Sequence, residues 1–341
     1  MIKLQSQLDL SDSNTLNLPC IASKYIELDG ESDLLDAFSK YPLDSSNTLL
    51  IGGGSNLILP PILERYVLSF KTKPAKDALL IKEENQDSVL IEVEAGVQWD
   101  ALVDYCVMQG YKGLENLSLI PGTLGAAPIQ NIGAYGVEIA DCLEQVSVFH
   151  VDDQSLEVFT SKQCQFAYRE SIFKRHPGKY IIISVCLRLS KLPLFNLEYG
   201  ELKSLKNETN LCADLVRKTV IETRQAKLPD PKVLPNAGSF FKNPVISATK
   251  EAALKQSYPA IVSYPLASGD FKLAAAWLID QAGWKGYRNE YVGVHDRQAL
   301  VIVNHNGGKQ ADILSLAEKI KVSVFKKFNV DLEIEPVLIS S

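Results

Sequence analysis

The feature that most constrains this chain is the concentration of its glycines in two short segments. Nine of the 20 glycines lie at 52–54 and at positions 110, 113, 122, 125, 133 and 136. The stretch 120–136 consists mostly of small residues with almost no charge. Glycine lets a backbone approach a ligand closely and turn its N–H groups toward a pyrophosphate. We therefore expect an anion-binding nest, and the alternative is a pair of tight turns packed against a sheet.

The common nucleotide and metal fingerprints are absent from the sequence. Gly52-x-Gly54 is followed by Ser55, Asn56 and Leu57 rather than by a third glycine, and no Walker A motif occurs. A nucleotide is therefore predicted to bind in a non-Rossmann manner. With four histidines and neither His-Glu-x-x-His nor Cys-x-x-Cys, no metal site is predicted.

Length and composition set the class of protein. A chain of 341 residues is long enough for two to three domains of about 150 residues. The net charge of −6 argues against nucleic acid or an anionic membrane as a partner. Six scattered cysteines indicate buried free thiols in a reducing compartment, and neither a signal peptide nor a transmembrane run of about 18 residues is visible. We expect a cytoplasmic monomer.

Hydrophobic periodicity predicts a mixture of strands and helices. The expected elements are a helix behind 31–33, strands at 48–51 and 89–95, a helix at 99–107, strands at 146–151, 156–160 and 180–189, helices at 211–225 and 273–282, a strand at 299–303, a helix at 313–324 and a final strand at 332–339. Two prolines at 229 and 231 place a domain boundary after the helix that ends near 225. The irregular order of elements favours an α+β fold.

Ser239 is a candidate acid, base or nucleophile because it stands between a glycine and two phenylalanines. Ser239-x-x-Lys242 also matches the signature of acyl-serine enzymes, but Ser171-x-x-Lys174 matches it equally well. The alternative interpretation is a turn at a strand end in which Ser239 bonds to the backbone.

Charged residues form three further candidate groups. Arg169 is a candidate for binding phosphate or a carboxylate, or else forms a surface salt bridge. Arg224 and Lys227 lie on one helical turn as a cationic clamp or as solvated residues that complement the helix dipole. Glu333 and Glu335 share one face of the predicted final strand. They are either a pair of carboxylates of which one stays protonated as a general acid, or the solvent-exposed acidic face of an edge strand.

Taken in order, these segments resemble the UDP-N-acetylenolpyruvoylglucosamine reductases, the MurB family of flavoenzymes in peptidoglycan precursor synthesis. The resemblance lies in residues 52–56, 113–115, 120–122, 128–136, 168–174, 227–231 and 236–244. It implies an α+β fold with an FAD-binding domain of the p-cresol methylhydroxylase type in two subdomains and a C-terminal α+β substrate-binding domain. The expected domains are 1–75 together with 338–341, 76–228, and 229–337.

The resemblance also implies a reaction. NADPH reduces non-covalently bound FAD, a hydride passes to C3 of the enolpyruvyl ether of UDP-N-acetylglucosamine, and C2 takes a proton to give UDP-N-acetylmuramate. Ser239 matches the proton donor to C2, Arg169 the arginine beside the substrate carboxylate and flavin, and Glu335 the acid that supports the enol.

The binding residues are likewise implied by the resemblance. Those matched to FAD are Gly52, Gly53, Gly54, Ser55, Asn56, Leu57, Ile120, Pro121, Gly122, Gly125, Ala126, Ile129, Asn131, Gly133, Ala134 and Tyr135. Those matched to the substrate are Tyr168, Tyr199, Arg224, Lys227 and Asn243, of which Tyr199 indicates the long subtype.

The chain departs from the family pattern in two places. The final strand carries Pro336 after Glu335 and lacks the usual arginine, which leaves Glu333 as an alternative to Glu335. Ala126 and Ala127 stand where relatives often have serines. The alternative functions are an oxidase on the same flavin fold, a nucleotide-binding regulatory protein without the chemistry, and an acyl-serine enzyme.

Overall fold

The computed structural model describes residues 2–341, which divide into two compact units. The first unit comprises the residues up to 8, 22–54 and 63–226, and the second comprises 9–21, 55–62 and 227–341. Among residues 2–341, no helix is long and apolar enough to cross a membrane.

Strands and short helices alternate irregularly along the chain, as an α+β fold requires. The strands are β1 (Leu4–Gln5), β2 (Leu8–Asp9), β3 (Ile21–Leu28), β4 (Thr48–Leu50), β5 (Leu57–Ile58), β6 (Ile62–Phe70), β7 (Leu79–Glu84), β8 (Ser88–Glu94), β9 (Gly133–Ala134), β10 (Val137–Glu138), β11 (Leu143–His150), β12 (Ser155–Thr160), β13 (Tyr180–Ser190), β14 (Val245–Ile246), β15 (Ser263–Pro265), β16 (Phe271–Leu273), β17 (Val292–Val294), β18 (Ile302–Asn304) and β19 (Val337–Leu338). The α-helices are α1 (Glu31–Lys40), α2 (Trp99–Met108), α3 (Ile172–Arg175), α4 (Ala213–Lys227), α5 (Ala248–Ser257), α6 (Ala275–Gln281) and α7 (Gln310–Phe328).

The first unit is built on two large sheets, and β9 and β10 form a separate antiparallel pair in it. One large sheet has the order β1-β3-β6-β4, with β4 and β6 parallel, and the other is an antiparallel sheet of order β12-β11-β13-β8-β7. The central strand β13 is buried almost continuously, because its side chains enter two hydrophobic clusters. One cluster also receives α1, and the other receives the apolar face of α2.

Helix α2 follows directly from its sequence pattern. Trp99, Leu102, Val103 and Cys106 recur at helical spacing, and all four are buried against the five-stranded sheet. The indole N–H of Trp99 also donates to the Leu117 carbonyl at 2.8 Å, so this face anchors the segment that follows the helix.

The second unit has a core formed by α6, α7 and three small sheets. These sheets have the orders β14-β16-β15, β17-β18 and β19-β5. Residues 9–21 belong to this unit because Leu16 and Leu18 are fully buried in its core. Asn14 fixes the same segment, since its Nδ2 donates to the carbonyls of Leu10 and Leu18 at 3.0 Å each. The observed units therefore differ from the expected domains, which assigned 9–21 and 55–62 to the first subdomain.

Three predicted elements need correction. The helix expected at 273–282 begins only at Ala275, because Leu273 is the last residue of β16. The strand expected at 299–303 is shifted to β18. The final strand expected at 332–339 is reduced to β19, which pairs in parallel with β5, while Ile334 forms a single bridge with Phe241.

Candidate active site

The two glycine segments of the first unit meet in backbone contact. A Cβ on Gly53 would lie 2.8 Å from the Cα of Gly122, and a Cβ on Gly52 would lie 2.5 Å from Thr123 Oγ1. Real Cβ atoms do not approach other atoms so closely, and at Gly53 the obstacle is the main chain of Gly122, so only glycine fits there. The surface formed here is made of main chain and small side chains, which suits the close approach of a pyrophosphate.

The segment 129–135 is braced by side chains that stay within the protein. Asn131 is fully buried, and its Nδ2 donates to Glu138 at 2.6 Å and to the Ala167 carbonyl at 3.1 Å. Its Oδ1 accepts from the Ala140 N–H at 3.2 Å. The side chain of Asn131 therefore orders the loop, and only its main chain is left to meet a cofactor.

Arg169 is held on a tight turn against this segment. Ala167 and Glu170 exchange two backbone hydrogen bonds of 3.0 Å, and Arg169 takes the left-handed conformation with φ of 56°. Its Nη2 donates to the Gly133 carbonyl at 2.7 Å, and its guanidinium lies 5.4 Å from the ring centre of Tyr168. The turn thus directs the guanidinium to the glycine-rich segment.

Ser171 has a structural role. The residue is buried, its hydroxyl donates to the Ile129 carbonyl at 2.5 Å, and it accepts from the Lys174 N–H at 3.2 Å as the N-cap of α3. A hydroxyl engaged in this way is not an available nucleophile, so the Ser171-x-x-Lys174 match does not mark an acyl-serine site.

Arg224 adds a second cation to the first unit. Its Nε is buried, and within residues 2–341 this atom has no hydrogen-bond partner. Burial lowers the pKa of Arg224; the neighbouring charge of Arg169 lowers it further, while Tyr135 and Asp100 oppose the shift. A desolvated guanidinium near a second arginine favours an anion such as a carboxylate or phosphate.

Tyr199 lies beside Tyr135. The two rings meet edge to face with centres 5.8 Å apart, and Tyr199 is 51% exposed. Burial raises the pKa of Tyr135. The segment around Tyr199 is anchored by Asn196, whose Nδ2 donates to the Gly136 carbonyl at 2.9 Å.

In the second unit, Ser239 is exposed on a turn whose neighbours are fixed. Gly238 has a φ of 67°, and its N–H donates to Asn236 Oδ1 at 2.8 Å. On the other side Phe240 is fully buried, and its N–H donates to the Leu300 carbonyl at 2.7 Å. The hydroxyl of Ser239 is therefore presented from a rigid backbone.

The two candidate acids of the second unit have different surroundings. Glu333 is 70% exposed in its side chain and forms an ion pair with Lys242. Glu335 is half-buried, its N–H donates to the Phe240 carbonyl at 2.9 Å, and its own carbonyl accepts from Asn56 Nδ2 at 3.5 Å. The backbone of Glu335 is thus tied to the residue that follows Ser239, while Glu333 and Lys242 neutralise each other.

Further predicted binding residues lie at helix ends and next to Thr15. Asn243 Oδ1 accepts from the Ala275 N–H at 2.9 Å at the start of α6, and Lys227 is the exposed last residue of α4. The Ser55 carbonyl accepts from Thr15 Oγ1 at 3.2 Å. Ser55, Asn56 and Leu57 belong to the second unit, whereas Gly52–Gly54 belong to the first.

Sequence reasoning missed two buried charged residues of the first unit. Arg217 on α4 is almost buried and pairs with Asp100 on α2, 117 positions away. Glu115 is 2% exposed and accepts from the Gly113 N–H at 2.7 Å. The motif Gly113-Leu114-Glu115 was the only signal that could have found Glu115, and no local pattern marked Arg217.

A separate group of possible metal ligands lies on the β11–β12 hairpin. Ligand atoms of His150, Asp153 and Glu157 lie within 4.8 Å of one another, and both acids are exposed. The His150 Nδ1 accepts from the Asp153 N–H at 3.2 Å, so we interpret the group as stabilising the turn of this hairpin and not as a metal site.

Comparison with known proteins agrees with this arrangement. Residues 24–158 match the model described as FAD binding domain, and residues 230–339 match the UDP-N-acetylenolpyruvoylglucosamine reductase, C-terminal domain. The chain is 43% identical to the UDP-N-acetylenolpyruvoylglucosamine reductase of Pseudomonas aeruginosa, with 99% of each chain covered. It is 46% identical to that of Alcanivorax borkumensis, over 97% of this chain and 95% of the relative.

A solved structure shares the fold. The crystal structure of UDP-N-acetylenolpyruvylglucosamine reductase (MurB) from Thermus caldophilus matches with a TM-score of 0.69 and 22% identity, covering 100% of both chains. The expected α+β fold class is confirmed, with an FAD-binding domain followed by the C-terminal domain of this family. The chain belongs to the family of UDP-N-acetylenolpyruvoylglucosamine reductases.

Proposed function

We propose that this protein uses NADPH and bound FAD to reduce the enolpyruvyl ether of UDP-N-acetylglucosamine to UDP-N-acetylmuramate. Family membership establishes the coarser statement, an FAD-dependent oxidoreductase of this type. The observation that best supports the finer one is the pairing of Arg169, placed against Gly133, with the desolvated Arg224. Two cations beside a glycine-lined main chain suit a substrate that carries a carboxylate and must meet a dinucleotide.

Residues 52–57 and the backbone-lined stretch 120–135 are proposed to hold FAD non-covalently. The fit rests on the close contact at Gly53 and Gly122, which leaves main-chain groups to approach the cofactor. When bound, FAD supplies the hydride equivalent that it has taken from NADPH.

The chain's own residues manage charge and protons. Addition of a hydride to C3 leaves an electron pair on C2 that spreads into the carboxylate, and Arg169 stabilises this enolate. Ser239 Oγ then donates a proton to C2, which completes the reduction of the C2=C3 double bond to a single bond. Glu335 supports the enol form, and its half-buried position, with its N–H bonded to the carbonyl of the residue that follows Ser239, favours it as the acid.

The remaining substrate contacts are proposed for Tyr168, Tyr199, Arg224, Lys227 and Asn243. Tyr199 is half-exposed, so its ring can pack on the substrate while it rests against Tyr135. Asn243 uses its Oδ1 to hold α6, which leaves its Nδ2 to donate to the UDP portion.

We further propose that the protein works as a cytoplasmic monomer. Five of its six cysteines are buried free thiols, which suits a reducing compartment.

Stopped-flow absorbance of the holoenzyme under anaerobic conditions tests the function. NADPH should bleach the flavin bands, and the enolpyruvyl UDP-sugar should restore them. Ser239→Ala should bind FAD and be bleached normally but be reoxidised by substrate about 10²- to 10⁴-fold more slowly, because only the proton donor is lost. Ser247→Ala, which removes an exposed helix-cap hydroxyl, is the matched control.

Two outcomes would contradict the proposal. Normal reoxidation of the Ser239→Ala flavin by substrate would remove Ser239 from the mechanism. A reduced wild-type flavin that reacts with oxygen but not with the enolpyruvyl UDP-sugar would favour an oxidase on the same fold.

A further inference from the structure

A charged cluster in the first unit joins α2 to α4. Arg217 Nη1 donates to Asp100 Oδ1 at 2.7 Å and its Nη2 to Asp100 Oδ2 at 3.2 Å, which makes a two-pronged pair. Its Nε donates to Asp104 Oδ1, one helical turn further along α2, at 3.2 Å. The Arg217 side chain is only 10% exposed, so the two carboxylates, rather than water, compensate its positive charge.

Asp100 also holds the loop that precedes Gly122. Its Oδ1 accepts the Leu119 N–H at 2.6 Å, which is the shortest of its hydrogen bonds. The backbone of Leu119 takes the left-handed conformation with φ of 59°, which residues other than glycine rarely adopt. Such a conformation persists only where the surroundings fix it, and the carboxylate of Asp100 does so here.

The same loop is attached to α2 at two further points. The Trp99 N–H donates to the Gly122 carbonyl at 3.0 Å, and its indole N–H donates to the Leu117 carbonyl at 2.8 Å. These bonds set residues 117–122 relative to α2, and Gly122 is the residue that lies against Gly53. A shift of Leu119 would therefore change the main chain proposed to meet FAD.

We propose that Asp100 is a positioning residue for FAD, which acts through Leu119 and is itself held in place by Arg217. The inference rests on the proposed use of residues 120–126 as a cofactor-binding loop. Because Arg217 and Arg224 lie on the same helix, the pair also ties the cofactor loop to the helix that carries a proposed substrate cation.

The test measures the dissociation constant for FAD from the fluorescence of flavin released when holoenzyme is diluted. Asp100→Ala should raise this constant about tenfold or more, because a charge-assisted hydrogen bond to the loop is lost. Asp104→Ala is the matched control. It removes an acid that contacts the same arginine from the same helix, and it should change the constant less than twofold.

Rescue separates positioning from general stability. Asp100→Asn keeps an oxygen that can accept the Leu119 N–H, so it should bind FAD within about threefold of wild type. Arg217→Met should weaken FAD binding in the wild-type background but add little in the Asp100→Ala background, because both changes act on the same loop.

The outcomes are distinguishable from failure of the proposed function. Wild-type protein that binds no FAD would overturn the proposed function itself. Wild-type protein that binds FAD with the same affinity as Asp100→Ala would overturn only the positioning role. The positioning role would also be overturned if Asp100→Ala and Asp104→Ala weakened FAD binding equally, each in proportion to its loss of melting temperature. A pair of acids with only a structural role predicts that result.

Discussion

At the residue scale, glycines are required in the candidate site where the neighbouring segment leaves no room for a Cβ atom. Gly53 lies so close to Gly122 that a single methyl group would overlap main-chain atoms. We expect Gly53→Ala to cost about 1–3 kcal/mol through overpacking, and to appear mainly as weaker FAD binding because the strain falls on the loop proposed to bind the cofactor. Equilibrium dialysis of FAD and thermal unfolding of the FAD-free protein measure the two effects separately.

Gly30 supplies the control for this substitution. A Cβ at Gly30 would meet nothing within 4 Å, and the residue lies at the start of α1, outside the candidate site. Gly30→Ala should leave FAD affinity unchanged. Equal FAD affinity in Gly53→Ala and wild type would show that the contact at Gly122 can relax.

Glu115 gives a pH dependence at the same scale. Burial raises the pKa of this carboxyl, against the opposing effect of the backbone N–H groups around Gly113. The folded state therefore binds a proton more readily than the unfolded state, and the stability that comes from the protonated form is lost as pH rises through the folded pKa. Glu115→Gln imitates the protonated form, so its melting temperature relative to wild type should rise as the pH is raised above the ordinary carboxyl pKa of 4.5. A pH-independent difference would contradict this.

At the element scale, the serines that cap helices differ in the hydrogen bonds that their hydroxyls make. Ser171 caps α3 and also donates to the Ile129 carbonyl from a buried position, whereas Ser247 caps α5 at the surface. Loss of a cap alone costs about 1 kcal/mol. Ser171→Ala should cost more than Ser247→Ala, since it also leaves the partly buried Ile129 carbonyl without its donor. Urea unfolding of the two variants measures the difference, and equal losses would be the contrary result.

The sequence predicts elements whose signal is local. Helix α2 shows its buried face in the spacing of Trp99, Leu102 and Cys106, and the structure places it within one or two residues of the expected bounds. The final segment alternates in the same regular way, yet only β19 is a strand. Its partner β5 lies some 280 positions earlier, and spacing within a segment does not reveal such a partner.

The candidate site was predictable to the same extent. The two glycine segments and Arg169 are marked by motifs, but the contact between the segments and the turn that holds Arg169 appear only in the structure. Arg217 likewise resembles an ordinary surface residue until Asp100 is placed beside it. Side chains that act through distant partners require the tertiary structure.

At the scale of the whole molecule, the two units have separate hydrophobic cores, and the cysteines are divided between them. Cys20 lies in the second unit, and the other four buried cysteines, Cys106, Cys142, Cys164 and Cys186, lie in the first. Burial raises the pKa of Cys20 to about 11 and that of Cys142 and Cys164 to about 12. In the native protein at pH 8 these thiols are therefore protonated as well as shielded.

Thiol labelling can consequently follow each core separately. In a Cys212→Ser background, which removes the exposed thiol, the native protein should react negligibly with Ellman's reagent. As urea is raised, we expect Cys20 and the four thiols of the first unit to become reactive at different midpoints, because no single core spans both groups. Mass spectrometry of labelled peptides identifies each cysteine. One common midpoint for all five would mean that the units unfold as a single cooperative structure, despite their separate cores.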